Sequence, residues 1–318
     1  MRFLPVLRFL LVPLLALATP AWSCSAFRLI AADGVVVGCN EDAWRLTPHV
    51  WLDQERGAHR ACFTGSRAIG DGQYAPQSGM NERGLVFTRL ASHTEVRPGD
   101  PSHELPGIAD DAAFLTEALR RCATVAEVEA YVSGFDRRKF LGDVLLFVDA
   151  AGGALVVEPY ALERPADASP YLISNFCPSE TPEADRLRLG RYRKGRELVQ
   201  AEPDVAPAAL AEAMSVHRER HGDGTLLTSL WRPEAMEVTL FFYHDFSEAV
   251  TLDLEAAWAE GWEQRAVEGM FSERAGFERL RWHPTPHRFE RGRAWMAGLG
   301  IALAALALEA SRMFSRPR

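Results

Sequence analysis

Hydrophobic and polar residues change their period along the chain, and the changes predict where strands and helices lie. Residues 24–31 and 35–40 are apolar runs on either side of Asp33-Gly34, which predicts a β-hairpin. A second hairpin is predicted over 143–158, where Gly152 and Gly153 separate two apolar segments. Further strands are predicted at 85–90, 171–175, 237–243 and 249–254.

Helical spacing replaces the strand pattern in two parts of the chain. Apolar residues recur every three or four positions between 110 and 133, where Asp110 or Asp111 can cap one helix. Thr124 and Glu127 form the capping box of the next helix. Helices are also predicted at 183–200 and 207–219, and glycines make 45–78 look irregular. Blocks of strands and helices joined by hairpins favour an α+β fold with antiparallel sheets.

The first 23 residues read as a secretory signal. Arg2 and Arg8 precede an apolar stretch, Pro20 breaks a helix, and Ala21 and Ser23 occupy the small-residue positions of a cleavage site. Cleavage after Ser23 would make Cys24 the first residue and place a free α-amine beside its thiol. That amine titrates near pH 8, so it can accept the thiol proton and produce the nucleophilic thiolate.

Two other roles for Cys24 compete with that of a nucleophile, namely a lipid-modified anchor and an ordinary disulfide partner. A lipoprotein site calls for Leu at Ala21 and a small residue at Trp22, and neither is present. After cleavage five cysteines remain. The four besides Cys24 are Cys39, Cys62, Cys122 and Cys177. If Cys24 stays free, these four either form two disulfides, paired in one of three ways, or stay as buried thiols.

Composition limits the classes of function. The chain has 318 residues, of which 47% are hydrophobic and 25% charged, which is enough for a large core. Its net charge is −8, and loss of two arginines with the signal leaves 33 basic and 43 acidic residues, a charge of −10. A surface this acidic argues against a nucleic-acid partner.

Four motifs in consistent order resemble the choloylglycine hydrolase, penicillin V acylase and isopenicillin N acyltransferase-type amidases. They are the opening Cys24-Ser25-Ala26-Phe27, the Asp33-Gly34 hairpin with the return segment Gly38-Cys39-Asn40-Glu41-Asp42-Ala43-Trp44, the segment Gly79-Met80-Asn81-Glu82-Arg83-Gly84-Leu85, and Ile173-Ser174-Asn175-Phe176. The resemblance spans about residues 24–255, which is most of the exported part of the chain.

This resemblance implies a four-layer αββα N-terminal-nucleophile fold and hydrolysis of a linear, non-peptide amide C–N bond without metal or cofactor. Cys24 matches the nucleophile, Asp42 the carboxylate that orients its amine, and Asn175 an oxyanion-hole donor. The implied partner is a small-molecule N-acyl amide. An acyltransferase on the same fold is the competing enzyme.

The chain departs from the family at Cys39, where relatives carry Arg. An arginine would lower the pKa of the nucleophile and donate hydrogen bonds, so its loss also leaves open a catalytically inactive binding protein. Residues 88–93, where relatives place a further oxyanion donor, contain no Asn. Cys39 is predicted to lie near Cys24, which the active form must keep reduced.

Two further groups of residues, a histidine pair and a basic helix face, give weaker signals of function. His217 and His221 have helical spacing but are better explained as a solvated helix end than as a metal site. The basic helix face is interpreted as a solvated surface or a contact with acidic neighbours; its residues are Arg186, Arg188, Arg191, Arg193, Lys194 and Arg196.

The uncharged stretch 294–308, followed by arginines, predicts either a membrane anchor over 294–314 or a docked helix. The predicted organisation is a signal at 1–23, one domain at 24–293 and a tail at 294–318, exported to the periplasm or the exterior. The oligomeric state is left open.

Overall fold

The structure is a computed structural model that describes residues 24–31, 33–43, 48–166, 170–216 and 224–272. The predicted signal at 1–23, the tail at 294–318 and both His217 and His221 lie outside the described residues. Within the described ranges, no helix is long and apolar enough to cross a membrane.

Sixteen strands and six α-helices make up the described fold. The strands are β1 (Ser25–Ala31), β2 (Gly34–Ala43), β3 (His49–Asp53), β4 (Ala61–Gly65), β5 (Arg67–Gly70), β6 (Gln73–Ala75), β7 (Ser78–Asn81), β8 (Val86–Ala91), β9 (Asp143–Val148), β10 (Ala154–Val157), β11 (Leu162–Glu163), β12 (Tyr171–Ser174), β13 (Gly224–Arg232), β14 (Glu237–Phe242), β15 (Asp245–Asp253) and β16 (Gln264–Ala266). The helices are α1 (Asp111–Arg121), α2 (Val125–Val132), α3 (Glu183–Arg186), α4 (Gly190–Ala201), α5 (Pro207–Met214) and α6 (Leu254–Glu260).

Two antiparallel sheets face each other. The first sheet has the order β12-β1-β2-β13-β14-β15, and the second has the order β11-β10-β9-β8-β7-β4-β3-β16. Helices α4 and α5 pack on the outer face of the first sheet, and α1 and α2 pack on the second. The predicted αββα arrangement of antiparallel sheets between helical layers is therefore confirmed.

The hairpin at the start of the domain forms as the hydrophobic pattern predicts. Asp33 and Gly34 lie at its turn, and the positive φ of Gly34, 107°, suits a residue without a side chain. Further along, Gly38 pairs with Phe27 across the strands. A Cβ at Gly38 would lie only 2.2 Å from the Phe27 ring, so the ring packs directly on the backbone of β2. Packing thus requires a glycine immediately before Cys39.

The larger core fills the space between the sheets around Met80 and Trp231, and it continues on the helical side of the first sheet around Phe27 and Leu210. The second core lies where α1 and α2 cover the second sheet around Phe87 and Leu115. The predicted caps are present: Asp110 accepts two backbone N–H groups of α1, and Thr124 and Glu127 form the capping box of α2.

Several predictions of secondary structure were wrong. The predicted helix 183–200 is divided into α3 and α4, and the predicted helix 207–219 ends at Met214. Residues 45–78 are not mainly irregular, because they contain strands β3 to β6; β3 pairs with the distant β16, and β4 pairs with β7. Strand β13 was not predicted, although it lies at the centre of the first sheet. All its residues between the two ends are buried, so it lacks the alternation that identifies a half-buried strand.

Candidate functional site

Cys24 lies immediately before β1, the strand between β12 and β2. Ser25 pairs with Ser174 on one side and with Asn40 on the other. One residue earlier, the same registers bring Cys24 level with Asn175 and Glu41. Ser174 Oγ also donates to the Cys24 carbonyl at 2.8 Å. Strand pairing therefore brings three separate sequence segments together around Cys24, a residue that is only 4% exposed.

The side chains of β2 alternate between two environments. Asn40 points to the helical layer, where its Nδ2 donates to Ser25 Oγ at 3.0 Å and to the Ala211 carbonyl at 2.9 Å. Glu41 points the opposite way, towards Thr64 and Ser78 of the second sheet. Residues level with each other on paired strands share a face. The Cys24 thiol therefore lies on the face between the sheets, together with Cys39 and Glu41.

The Asp42 carboxylate is held on the helical side. Thr225 Oγ1 donates to its Oδ1 at 2.6 Å, and Arg191 Nη1 donates to its Oδ2 at 2.8 Å. The side chains of Arg191 and Asp42 are 9% and 6% exposed. At the same time the backbone N–H of Asp42 donates to the Cys24 thiol. The structure therefore brings Asp42 and Cys24 together through the backbone, with the carboxylate fixed by α4 and β13.

Burial dominates the electrostatics of the thiol. Desolvation first, and then the nearby Asp42 carboxylate, raise the pKa of Cys24 to about 12, although Arg191 acts in the opposite direction. In the full chain Cys24 is joined to Ser23 by a peptide bond, so no ammonium group belongs to this residue. A free α-amine would add a positive charge next to the thiol and lower its pKa.

Asn175 spans the gap between the two sheets. Its Nδ2 donates to the Ala91 carbonyl at 2.6 Å, so the end of β12 is attached to the end of β8. The backbone N–H of Arg89 donates to the Gln77 carbonyl, on the β7 side of β8. Backbone groups two residues apart in a strand point the same way. The Ala91 N–H is therefore directed to the side from which Asn175 approaches.

Ala91 is a candidate site residue that sequence reasoning missed. Residues 88–93 offer no Asn side chain, but a backbone N–H can serve as an anion donor with any side chain. No motif identifies such a donor. Two features of the fold distinguish it: Ala91 lies beyond the part of β8 that pairs with β7, and its carbonyl accepts a hydrogen bond from Asn175.

Arg191 was also assigned too little importance from sequence. It belongs to the basic helix face that includes Arg188, but Arg188 is 82% exposed whereas Arg191 is almost fully buried against Asp42. The helical period could have indicated that one arginine faces inwards. The acidic partner lies 149 residues away in the chain, and only the packing of α4 on the first sheet reveals it.

All five cysteines after the predicted cleavage site are free thiols, so none of the pairings left open by the sequence is present. Cys39 pairs with Ala26 and with Ser229 on its two neighbouring strands. It is thus a diagonal neighbour of Cys24 on the same face, and burial together with Glu41 and Cys24 raises the pKa of its thiol. The prediction that Cys39 lies near Cys24 agrees with this register.

Comparisons with known proteins support the fold. The chain is similar to a mutant of the conjugated bile acid hydrolase from Clostridium perfringens, with 13% identity and a TM-score of 0.56 over 76% of this chain and 96% of that one. It is also similar to penicillin V acylase from Agrobacterium tumefaciens, with 14% identity and a TM-score of 0.51 over 69% and 83% of the two chains. No protein-family model and no curated protein sequence matches the chain.

Proposed function

We propose that this protein hydrolyses linear, non-peptide amides with Cys24 as an N-terminal nucleophile. The observation that carries the proposal is the position of Cys24, at a strand start between β2, which bears Asp42, and β12, which Asn175 follows. Three segments thus bring a thiol and an amide donor on the face between the sheets, and a carboxylate on the helical side, to one strand end, and these are the groups that acyl transfer to a cysteine uses. The shared fold with an acylase and a bile acid hydrolase supports the same reaction class.

The proposed reaction begins after cleavage between Ser23 and Cys24. The freed α-amine takes the proton from Sγ, and the thiolate forms a bond to the substrate carbonyl carbon. The ammonium then gives its proton to the leaving nitrogen as the C–N bond breaks, which leaves a thioester. Water attacks the thioester, releases the carboxylic acid and returns the proton to sulfur.

The surrounding residues support these steps. The developing oxyanion is offered the side-chain amide of Asn175 and the backbone N–H of Ala91, and loss of one such donor typically costs about 3–4 kcal/mol of transition-state stabilisation. Asp42 orients the ammonium, and Arg191 with Thr225 keep that carboxylate in place. By analogy with the two similar structures, the substrates to try first are a penicillin V-type side-chain amide and a conjugated bile acid.

A catalytically inactive binding protein is the second candidate, favoured by the near-complete burial of Cys24 and by Cys39 in place of an arginine. A binding protein would retain affinity for N-acyl amides after Cys24→Ala, and its wild-type form would release no amine.

N-terminal sequencing and intact mass of the exported protein test the proposal directly. The mature chain is expected to begin at Cys24, and a start at any other residue contradicts the mechanism. Cys24→Ala should abolish amine release, and Cys24→Ser should retain the fold and nearly none of the activity, because removing a nucleophile typically costs on the order of a millionfold in kcat. Amine release measured by ninhydrin on both amides decides between the enzyme and the binding protein.

A further inference from the structure

Glu41 is a buried carboxyl group that the proposed reaction does not use. It is 2% exposed and lies between the two sheets, level with Cys24 on the neighbouring strand. Its Oε1 accepts from Thr64 Oγ1 at 2.5 Å and from Ser78 Oγ at 3.1 Å. Its Oε2 has no hydrogen-bond partner among the described residues. Buried polar atoms are almost always paired, so an unpaired carboxyl oxygen beside the nucleophile requires an explanation.

The groups around Glu41 offer it hydroxyls and thiols rather than a cation. Asp42 is on the same strand but faces the helical side, where Arg191 is bound to it. Ser78 lies 3.2 Å from Ser229 Oγ, which extends the hydroxyl contacts to β13. No lysine, arginine or histidine of the described chain forms an ion pair with Glu41. The side chains that face it are Cys24 before β1, Cys39 on β2, Thr64 on β4, Ser78 on β7, and Leu227 and Ser229 on β13.

We propose that Glu41 acts through Cys24 and restricts the enzyme to acidic conditions, because its ionised form suppresses the thiolate and its protonated form permits it. This inference rests on the proposed function, since it concerns the same nucleophile. Glu41 is a positioning residue in the electrostatic sense: it touches no reacting atom but sets the charge on the face where the thiolate and the oxyanion develop.

The charge on Glu41 determines how readily Cys24 forms a thiolate. When Glu41 is ionised, thiolate formation puts a second negative charge on one buried face, where the effective dielectric constant is low. Accordingly Glu41 contributes to raising the pKa of both the Cys24 and the Cys39 thiols. Burial in turn raises the pKa of Glu41 to about 7, although the bonds from Thr64 and Ser78 oppose that rise. Glu41 therefore changes its charge within the range in which an exported enzyme works.

The pH dependence of Cys24 alkylation tests this without any amide substrate. Iodoacetamide is a neutral probe, and peptide mapping by mass spectrometry separates the Cys24 adduct from adducts at the other thiols. In Glu41→Gln, alkylation of Cys24 at about pH 8 is expected to be on the order of tenfold faster than in wild type, and at about pH 5 the two should converge. Glu55→Gln, which removes a surface carboxylate paired with Arg120, is the matched control and should follow wild type.

Ser78→Ala sharpens the result. Ser78 stabilises the charged form of Glu41. In a Ser78→Ala background, the rise in alkylation rate that Glu41→Gln causes should therefore begin at a higher pH. Identical alkylation curves for wild type and Glu41→Gln would overturn the proposal. A direct titration is the infrared band of the protonated carboxyl group that Glu41→Gln removes. If that band is already lost when the pH has risen to about 5, Glu41 ionises as an ordinary carboxylate and the proposal fails whatever the alkylation shows.

The same data separate this proposal from the proposed function. Altered alkylation in Glu41→Gln, with no amine release by any form of the protein, would support the Glu41 effect and refute the amidase. Amine release with an alkaline decline that Glu41→Gln leaves in place would support the amidase and refute the Glu41 effect.

Discussion

The two carboxylates at the end of β2 are sequence neighbours in opposite environments. Asp42 faces the helical layer and is bound by an arginine and a threonine hydroxyl. Glu41 faces the second sheet, is bound by two hydroxyls and keeps one oxygen without a partner among the described residues. The difference teaches that alternation along one strand can place a compensated negative charge behind the proposed nucleophile and an uncompensated one beside it.

The largest expected effect concerns the face that carries the thiol. If the reaction occurs between the sheets, Asn175→Ala should lower kcat about 10²- to 10³-fold, because it removes one donor to the oxyanion. The change also removes the contact with the Ala91 carbonyl, so Asn175→Asp is a useful partner variant that keeps the size of the side chain. Steady-state kinetics on the better amide substrate measure the effect. A loss confined to KM would place Asn175 in ground-state binding instead.

On the helical face, Arg191→Met should cost roughly 3 kcal/mol or more of folding free energy, because it leaves a buried carboxylate without its cation. If Asp42 assists proton transfer as proposed, that step should weaken as well, with kcat falling and its pH profile shifting. Denaturant unfolding and a pH–rate profile check both effects.

A double-mutant cycle isolates the Arg191–Asp42 pair. Arg191→Met together with Asp42→Asn should recover part of the lost stability, since no unpaired charge then remains. Arg193→Met, on the exposed side of the same helix, is the control and should be close to neutral. Additive effects in the cycle would mean that the pair does not couple.

The comparison also predicts how stability depends on pH. Burial raises the pKa of Glu41 in the fold to about 7, so between about pH 4.5 and 7 the folded protein retains a proton that the unfolded chain has released. The free energy of unfolding should therefore fall as pH rises through that window, by roughly 3 kcal/mol from this group. Glu41→Gln should remove that decline. Urea unfolding at several pH values measures it, and an equal pH slope in both proteins would show that Glu41 is not the source.

The smallest effect is expected at Cys39. Cys39→Ala should leave measurable activity, because in the proposed mechanism the α-amine and Asp42 carry the proton chemistry, and it should cost about 1 kcal/mol of stability for the lost buried sulfur. Diagonal neighbours across a strand pair lie about 7–8 Å apart, which is beyond the Cα separation that a disulfide spans without backbone movement. Mapping disulfides in non-reduced protein is expected to find Cys24 reduced. A stoichiometric Cys24–Cys39 bond that must be reduced before turnover would favour the binding protein.

Local patterns in the sequence determined the opening hairpin, the capped helices and the fold class. The Asp33-Gly34 turn and the Thr124–Glu127 capping box are decided by residues a few positions apart, so their energetics can be read directly from neighbours in the chain. The order of four motifs also brought Cys24, Asp42 and Asn175 into one hypothesis, and the strand register places them at one strand end.

Only the tertiary structure decided which groups surround those residues. Strand β13 is buried on both faces, and the partner of Asp42 is an arginine 149 positions away. The N–H of Ala91, which we propose as an oxyanion donor, belongs to the backbone and has no side-chain signature. Glu41 and Asp42 have different partners because one face of β2 packs against the second sheet and the other packs against the helices. Such features depend on contacts between distant segments, and a single sequence without its fold does not encode them in any local pattern.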